Sequence, residues 1–600
     1  MTGALILIAV DGAFADPAPL LIAPHISGQA FCPLAAENPD IATEEAADAY
    51  CASRDQNSSA PLRAMLDSVG PVTSPSGHFQ LGYVLDFPLM RYYRQSGGSW
   101  ALDRAAIRTR VRMIAEVDRP VVVYLSANHF TDANPKLSEE LAADPANLMW
   151  TKDGPLPGGG YFTVSVHGWT LSNLRAPITA MRDEAFRAAI AELCRLPPAV
   201  RSRIRAVSLL GEVQQLYPDF TGDLGYTKPF DVTDYAPQAV AGFHGWLREK
   251  FGSVGALNAS LGAEFKSFDE VSPPAKDIKK EPLAGILDHI DAYAAGSVAV
   301  QGWAYDTGGG PVGIEVYLDG VRRGVVQADL SRTDVPESNA AVKTPNVGWH
   351  YDLDYSTEKP GIHTLEVTAT VTGHAPVRLA TRQIVVADPK QDKPAEIPAL
   401  PVAADEPQTV PSLLSYMDGP PALTRLYHNP LARLWLEYRN VSVTRYIEHF
   451  ARIARGSCLP PDIIFSHQIT PQLNASWNPD LMAVADSLKP NASYQPGATL
   501  YGGAAFGQAF FDWKEAQGWK RYGVGELHPR TALSPDDIAR MFEDHRAHGA
   551  VYIAPYYFPL VPKRLMLGQS ELSRERITPD NHALGSDTFY AGIVKTMTRH

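Results

Sequence analysis

The sequence repeats one pattern, an apolar strand-like segment followed by an amphipathic helical segment, on both sides of a stretch that holds strands alone. Several of the strand-like segments, such as PVVVYL at 120–125, are apolar throughout, which is typical of strands buried on both faces of a parallel sheet. Helical periodicity lies between them, for instance over 102–117, where Asp103 is the predicted N-cap. The eight predicted strands are centred near residues 83, 121, 162, 205, 463, 499, 522 and 552.

Eight β-then-α units predict an α/β fold, a (β/α)8 TIM barrel. The alternative is an open doubly wound sheet, but no G-x-G-x-x-G follows any predicted strand, which argues against a dinucleotide-binding version. The strand-only stretch at 290–388 has short strands and a hairpin turn at Asp319-Gly320. It predicts an all-β sandwich inserted between the fourth and fifth units of the barrel.

These patterns divide the chain into five parts. They are a leader and loop-rich cap at 1–76, the first part of the barrel with strands one to four at 77–289, the inserted sandwich at 290–388, a Pro-rich linker at 389–411, and the second part of the barrel with strands five to eight at 412–600. An apolar run at 4–10 precedes a possible A-x-A cleavage site at 13–15, but no basic n-region precedes it. This start is a signal peptide, a first strand or an early start codon, and we expect a secreted or periplasmic protein.

Composition excludes several classes of protein. With 45% hydrophobic and 20% charged residues the chain is globular, and its net charge of −13 argues against nucleic acid or an anionic membrane as the main partner. No run reaches the roughly 18 apolar residues that a membrane helix needs. The sequence has no C-x-x-C or H-x-x-x-H motif, so we predict neither a metal nor a cofactor.

The four cysteines are Cys32, Cys51, Cys194 and Cys458. An even count fits an exported protein with one or two disulfides, and four cysteines allow three pairings. We favour a bond between Cys32 and Cys51, which would close a short loop. The alternative is four buried thiols.

In a TIM barrel the site lies where the strands end and the loops begin. The residues at these predicted ends combine amides, carboxylates and imidazoles, which suit sugar hydroxyls, with aromatic rings, which suit the apolar face of a sugar. The predicted substrate-binding residues are Asp86, Asn128, His129, His167, Trp169, Gln214, Tyr217, His467, Gln468, His528, Tyr556 and Tyr557. The alternatives are a metal cluster for the four histidines, a loop cap for Asp86 and core packing for the aromatic residues.

Two glutamates stand out from this set. Glu212 and Glu526 each follow an apolar strand and a glycine, which allows close backbone approach or an unusual dihedral angle. Glycoside hydrolysis needs two carboxyl groups that flank the scissile bond. The ends of strands four and seven lie on opposite sides of a barrel mouth, so we predict that these two residues are the catalytic pair.

Three segments carry a family resemblance: VSLLGEVQQLYPDF at 207–220, LREKFGSVGALNASLGAEF at 247–265 and LWLEYRNVSVTRYIEHFARIAR at 434–455. With them the sequence resembles the glycoside hydrolases of clan A, most closely the β-galactosidase-like family 42 type. The resemblance implies that Glu212 is the acid/base and Glu526 the nucleophile of a retaining enzyme that cleaves a β-linked saccharide.

The sequence departs from this family at one position. The clan usually has Asn before the acid/base, where this chain has Gly211. A Gly-Glu followed by Tyr-Pro is also similar to β-amylases, which are inverting barrels.

Taken with the pair of glutamates, the resemblance predicts a glycosidase without a cofactor, with a carbohydrate as partner. The alternatives are a non-catalytic polysaccharide-binding barrel and an inverting glycosidase or transglycosidase, and the oligomeric state stays open.

The inserted stretch, with its GWAYD strand and VYLDG hairpin, resembles bacterial Ig-like modules. Its aromatic residues include Trp303, Tyr305, Tyr317 and Trp349. The module either binds carbohydrate or serves as a spacer or a wall of the cleft. Because Trp303 and Tyr305 alternate along one strand, we expect both to face the same side, towards the core.

Overall fold

The computed structural model describes residues 18–599 except 128–133, 162–163, 216–231, 333, 389–409, 421–423, 472–479 and 566–570. Its larger part, here called the body, contains eight parallel strand positions. They are β1 (Leu20–Ile22), β2 (Phe79–Leu81 and Tyr83–Pro88), β3 (Val121–Ser126), β4 (Ile204–Leu210), β5 (Ile464–Phe465 and Gln468–Ile469), β6 (Gly497–Tyr501), β7 (Tyr522–His528) and β8 (Ala550–Pro555).

The eight positions form two parallel sheets. One has the order β5-β6-β7-β8-β1-β2, and the other has the order β5-β4-β3-β2. β2 and β5 contribute one segment to each sheet, so the order of neighbours is cyclic. The ladder is interrupted in β2 at Gly82, where a Cβ atom would lie 2.1 Å from the carbonyl oxygen of Pro120, and in β5 at 466–467. The fold is thus α/β with parallel sheets, and the predicted barrel is not one continuous sheet.

One predicted strand is wrong and one was missed. Residues 159–161 and 164–166 are not in the parallel sheets, because Gly159–Tyr161 and Val164–Val166 pair as antiparallel strands. Their alternation of apolar and polar residues is typical of antiparallel strands, whereas buried parallel strands are apolar throughout. β1 lies instead within the predicted leader and cap, between β8 and β2. The two errors cancel, so Glu212 still follows the fourth strand and Glu526 still lies in the seventh.

The helices begin largely where the sequence predicts. The Asp103 side chain accepts a hydrogen bond from the amide of Ala106 at 2.9 Å, and Ser534 caps the helix that starts at Pro535. The α-helices of the described residues are Pro33–Glu37, Glu44–Ala52, Ser59–Val69, Arg104–Val117, Pro135–Ala142, Pro177–Arg195, Pro198–Arg201, Pro237–Phe251, Val254–Leu261, Asp334–Ser338, Pro430–Arg455, Gln508–Ala516, Pro535–Ala547, Glu571–Arg574 and Ser586–Thr598. Within the described part of the chain, none of them has the length and apolarity to span a bilayer.

Short additional strands decorate the body. They are Ile26–Ser27 with Phe558–Pro559, Tyr93–Ser96 with Ser99–Leu102, and Trp150–Thr151 with Gly154–Pro155.

Two disulfides join Cys32 to Cys51, which confirms the favoured pair, and Cys194 to Cys458.

The second region is an all-β sandwich with a core of its own. Its four-stranded sheet has the order Leu330–Ser331, Asn346–Asp354, Ser297–Asp306 and Leu413–Gly419. Its five-stranded sheet has the order Val321–Gln327, Val312–Leu318, Gly361–Val371, Val377–Val386 and Thr424–Leu426. Asp319 and Gly320 have φ angles of 52° and 75°, as the predicted hairpin turn requires.

The sandwich extends further along the chain than its predicted segment. Strands Leu413–Gly419 and Thr424–Leu426 lie beyond the predicted linker, in the part that the sequence analysis assigns to the barrel, yet they pair with sandwich strands. Trp303 and Tyr305 share one face, as expected, but it is not the face of the main core. They pack instead against a small cluster that includes Val335, because the residues that alternate with them already fill the main core.

The chain enters and leaves the sandwich at neighbouring points. Asn429 caps the helix Pro430–Arg455 and donates from Nδ2 to the carbonyl oxygens of Leu287 at 3.0 Å and His289 at 2.7 Å. Its backbone amide donates to Ala294. One residue therefore fixes the two connections side by side.

Candidate functional site

The two predicted catalytic glutamates lie close together. Glu212 and Glu526 each place a carboxylate oxygen, together with a ring nitrogen of His467, in one group whose atoms all lie within 4.8 Å of one another. Glu526 is 5% exposed, whereas Glu212 is half-buried. The loop after β4, the interruption of β5 and the end of β7 thus converge on one point.

The glycines before the two glutamates have different roles. Gly211 has a φ angle of 96° and follows Leu210 at 65°, so the chain leaves β4 through two positive φ angles. An added Cβ at Gly525 would lie 2.8 Å from Cε1 of His467, so the imidazole packs directly on the backbone of β7. The unusual dihedral therefore occurs at Gly211, and the close approach occurs at Gly525.

A buried tyrosine orients Glu526. The hydroxyl of Tyr501, the last residue of β6, donates to Oε2 of Glu526 at 2.6 Å. Burial, and then the negative charge of Glu526, hold the pKa of Tyr501 well above its usual value. The Arg530 guanidinium lies 4.0 Å from the centre of the tyrosine ring. Tyr501 therefore remains a protonated donor, and it fixes one oxygen of the carboxylate.

His467 is held from several strands. Its Nε2 lies 3.1 Å from Oγ1 of Thr499 and 3.9 Å from Oε1 of Glu526, and its Nδ1 lies 3.4 Å from Oγ of Ser208. The ring centre is 5.1 Å from that of Tyr124 in β3. This arrangement places the imidazole beneath both glutamates, where it is 1% exposed.

Gln468 supports the loop that carries Glu212. Its Nε2 donates to the carbonyl oxygen of Val213 at 2.7 Å and to Oγ of Ser487 at 2.9 Å. The side chain is fully buried. The structure thus places this predicted sugar ligand under the loop, with its NH₂ group engaged by the protein.

A cavity of about 380 Å³ opens beside Glu526. Four predicted residues line it: Asp86, Glu526, Tyr556 and Tyr557. Five further titratable or aromatic residues, which the sequence analysis did not select, also line it: His25, Glu44, Arg91, Arg110 and Tyr124. A cavity of this size, with aromatic rings and convergent polar groups, suits a small polar ligand such as one or two sugar units.

The charges around this cavity are largely compensated. Arg91 forms an ion pair with Glu44, and Nη2 of Arg110 lies 2.5 Å from Oδ1 of Asp48. Although burial acts in the opposite direction, the Arg91 guanidinium lowers the pKa of Glu44. Asp86 accepts a hydrogen bond from Oγ of Ser126 at 3.0 Å.

Glu212 and several predicted ligands lie outside the lining of this cavity. His528 is fully buried, with Nε2 3.1 Å from Oγ of Ser586 and Nδ1 accepting from the amide of Arg530. Burial, and then the charge of Arg530, lower its pKa to about 3. His528 therefore has a structural position at the end of β7.

The rings of His167 and Trp169 lie 5.2 Å apart and contact each other.

Gln214 is 5% exposed, and its Oε1 has no hydrogen-bond partner among the described residues. Three other predicted ligands, Asn128, His129 and Tyr217, lie outside the described residues.

Two groups of side chains have the donor atoms for a cation. One is the group of Glu212, His467 and Glu526, and the other is Asp277, His289 and Asp291. In the second group, Nδ1 of His289 accepts the amide hydrogen of Ile278 at 3.2 Å. A neutral His289 therefore carries its proton on Nε2, which faces Asp291 at 3.5 Å, and this tautomer leaves no lone pair there for a metal.

The site residues that sequence reasoning missed had weak signals. His25, whose Nε2 lies 2.6 Å from the carbonyl oxygen of Gly525, follows the three-residue β1 in the predicted cap. Tyr501 lies inside the predicted strand 499–502, and Tyr124 inside 120–125. The observed strand ends point to His25, just after β1, and to Tyr501, the last residue of β6, whereas Tyr124 lies inside β3.

Comparison with known proteins gave structural likenesses alone. No family model matches the chain, and no curated protein matches it. The catalytic domain of β-amylase from Paenibacillus polymyxa superimposes with a TM-score of 0.45 at 10% identity, over 97% of this chain and 99% of that domain. A likeness of this degree does not identify the reaction.

Proposed function

We propose that the protein is a glycoside hydrolase that cleaves a β-linked oligo- or polysaccharide, with Glu212 as acid/base and Glu526 as nucleophile. One observation carries this proposal: an oxygen of Glu212 and an oxygen of Glu526 lie within 4.8 Å of each other, and Glu526 lines a cavity with aromatic and polar walls. Two carboxyl groups that flank the scissile bond are the arrangement that glycosidic cleavage needs.

The steps follow from this geometry. Glu212 protonates the glycosidic oxygen while an oxygen of Glu526 attacks the anomeric carbon, so the leaving sugar departs and a glycosyl-enzyme forms. Glu212 then removes a proton from water, whose oxygen attacks the same carbon and releases Glu526. Tyr501 holds Oε2 of Glu526, which leaves Oε1 for the bond to carbon.

The short separation favours retention of configuration. Retaining enzymes have carboxyl groups about 5–5.5 Å apart, whereas inverting enzymes need about 6.5–9.5 Å to admit a water molecule. One oxygen of Glu212 lies within 4.8 Å of one oxygen of Glu526, and this close approach supports the shorter range. In the clan that the sequence resembles, an Asn before the acid/base contacts the sugar 2-hydroxyl, and this chain has Gly211 there. Our candidates for that contact are the buried amide of Gln214 and Asn128, which lies outside the described residues.

The finer description of the fold belongs to the same proposal. We interpret the two parallel sheets as two arcs of one (β/α)8 barrel, since their strands follow one cyclic order. We interpret the sandwich as an Ig-like module. The two disulfides favour an oxidising compartment, and hence a secreted or periplasmic protein.

The first experiment measures product release from aryl β-glycosides and β-linked oligosaccharides. We expect Glu526→Gln to lower kcat by about 10⁴-fold, because the nucleophile is lost while the cavity is kept. Glu264→Gln, which changes an exposed carboxylate on the surface, is the matched control and keeps the wild-type rate. Azide restores turnover to Glu526→Gly if Glu526 is the nucleophile.

Three outcomes would contradict the proposal in different ways. Wild-type rates in Glu526→Gln or Glu212→Gln exclude the assigned pair. Saccharide binding without product from any substrate identifies a non-catalytic binding protein. An inverted product anomer in proton NMR keeps the hydrolase but replaces the covalent step with direct attack by water.

A further inference from the structure

The four-stranded sheet of the sandwich has one face in the main core and one face outside it. Along strand 297–306, Val298, Val300 and Ala304 fill the core, and the residues between them point to the other side. The same alternation holds in strand 413–419, where Leu413 and Met417 belong to the core. We call the opposite side the outer face.

The outer face carries a pair of aromatic residues. Trp303 and Tyr416 are direct neighbours across the ladder between their strands. Tyr416 is 56% exposed, and the half-buried Trp303 is held by the small cluster that includes Val347. Gly348, which lies opposite Trp303 on its other side, has no side chain to cover the indole, and Val347 of the same strand belongs to the cluster that holds it. A fixed indole next to an exposed phenol forms an aromatic platform.

Polar side chains adjoin this platform on the same face. Nδ1 of His350 lies 3.1 Å from Oε1 of Gln301, and its Nε2 lies 3.0 Å from Oδ1 of Asp352. Gln301 is two residues from Trp303 and therefore on the same side of its strand. The carboxylate of Asp352 is largely exposed at the end of this row. The outer face thus combines aromatic rings with an amide, an imidazole and a carboxylate.

One side of the outer face borders the loops of the candidate site. Asn346 contacts Gly503, where an added Cβ would overlap its side chain, and Ser331 contacts Gly502 in the same way. Both glycines directly follow Tyr501, which holds Glu526.

The charge of the outer face also acts on the loop that supports Glu212. Burial, and then the charge of Asp352, raise the pKa of Asp480 in the loop after β5. In that same loop the carbonyl oxygen of Met482 accepts the amide hydrogen of Gln215, three residues after Glu212, at 3.0 Å.

We propose that the outer face of the sandwich, with Trp303 and Tyr416 at its centre, is a second saccharide-binding site for the part of a polysaccharide that extends beyond the cavity. Aromatic rings bind the apolar face of a pyranose, and the exposed carboxylate of Asp352 offers acceptors to its hydroxyls. The ligand is a neutral polymer, since Asp352 gives the outer face an exposed negative charge, Arg332 already pairs with Asp418, and the chain has a net charge of −13. This inference rests on the proposed function for its substrate class.

The test measures binding and hydrolysis separately with the full chain. Binding is measured by affinity electrophoresis in gels that contain hydroxyethylcellulose, barley β-glucan, galactan or galactomannan, in the Glu526→Gln background. Hydrolysis is measured on aryl β-glycosides, which are too short to leave the cavity, in the active background. The variants are Trp303→Ala, Tyr416→Ala and Tyr416→Phe. Tyr317→Ala, on the opposite sheet, is the matched aromatic control.

We expect Tyr416→Ala and Trp303→Ala each to weaken binding of the retarding polysaccharide about tenfold, as the loss of one stacking ring implies. We expect Tyr416→Phe and Tyr317→Ala to bind as the wild type does, and aryl-glycoside kcat/KM to stay unchanged in all four. Since Tyr416 is exposed, its replacement tests the site even if Trp303→Ala fails to fold.

The proposal is overturned if none of the four gels retards the protein, or if both alanine variants are retarded like the wild type. If retardation depends on Tyr416 but no aryl glycoside is cleaved, the binding site stands and the proposed hydrolase fails. If aryl glycosides are cleaved and Tyr416→Ala is retarded as strongly as the wild type, the proposed hydrolase stands and this binding site fails.

Discussion

The body and the sandwich place their candidate binding residues differently on their strands. In the body, strands such as β3 are buried along their whole length, so polar groups that can meet a ligand lie at strand ends and in the loops beyond. In the sandwich, strand 297–306 presents alternate residues to opposite sides, so Trp303 can meet a ligand from the middle of a strand. In a buried parallel sheet, position along the strand decides what is available for binding, whereas in a sandwich the face decides.

The disulfides test whether the two regions fold as separate cores. The bond between Cys194 and Cys458 closes a loop of 264 residues around the insertion, and the bond between Cys32 and Cys51 closes one of 19. Replacing the first pair by alanine should lower the free energy of unfolding of the body by about 5 kcal/mol, and replacing the second pair by about 3 kcal/mol, since a longer loop constrains the unfolded chain more.

Chemical denaturation, followed by fluorescence and far-UV circular dichroism, measures this effect. We expect the transition of the body to move in both variants and that of the sandwich, which has its own buried cluster, to stay in place. A single transition that shifts as one unit would show that the two cores are not independent.

Tyr501→Phe tests whether the residues that carry out the reaction all lie in the body and none lies in the sandwich. The variant keeps the buried ring and removes the hydrogen bond to Glu526. A hydrogen bond to a charged group contributes about 1.5–3 kcal/mol, so kcat should fall roughly 10- to 100-fold while KM for an aryl glycoside changes little. Tyr305→Phe in the sandwich is the control and should keep the wild-type kcat. Equal losses in both variants would contradict a site confined to the body.

Asp329 tests the contact between the two regions. Burial, and then the charge of Asp512 on helix Gln508–Ala516, raise the pKa of Asp329 to about 6. The folded state therefore favours the protonated acid, so this group costs no stability below pH 4 and destabilises the protein as the pH rises to about 6. After allowance for partial exposure the cost is about 1 kcal/mol. Asp329→Asn should flatten the decline of Tm between pH 4 and 7, and an unchanged slope would contradict this pairing.

The strong patterns in the sequence predicted most of the fold. Largely apolar segments identified β3, β4 and β8, and the Asp-Gly turn identified the hairpin at Asp319. These predictions succeeded because both features restrict the local sequence. A strand buried on both faces needs apolar residues along its length, and a turn with positive φ angles favours Asp-Gly. Segment 161–166 failed because its alternation belongs to a hairpin, and β1 was missed because three residues are too few to show a period.

The sequence predicted part of the candidate site: Glu212 and Glu526, which lie close together, and Asp86, Tyr556 and Tyr557, which line the cavity. Glu212 and Glu526 were found because a glycine and an apolar strand precede each of them. His25 could not be found without β1, and the partners of Glu44 and Arg91 depend on how the cap folds over the cavity. His528 and Gln468 satisfied the strand-end rule, yet the protein itself engages their polar groups. Proximity to a strand end identifies a candidate residue, but only the packing shows whether its polar group binds the protein itself or is available to a ligand.

The Asn429 amide, which joins the entry and exit of the sandwich, has a consequence for how this architecture can diversify. Because Leu287 and Asn429 are one hydrogen bond apart, a gene segment encoding the sandwich can be exchanged or excised while the flanking chain needs only a short splice. The strand order of the body would be the same afterwards. At this connection, a different domain could replace the sandwich while the chain segments that carry the two carboxylates stay the same.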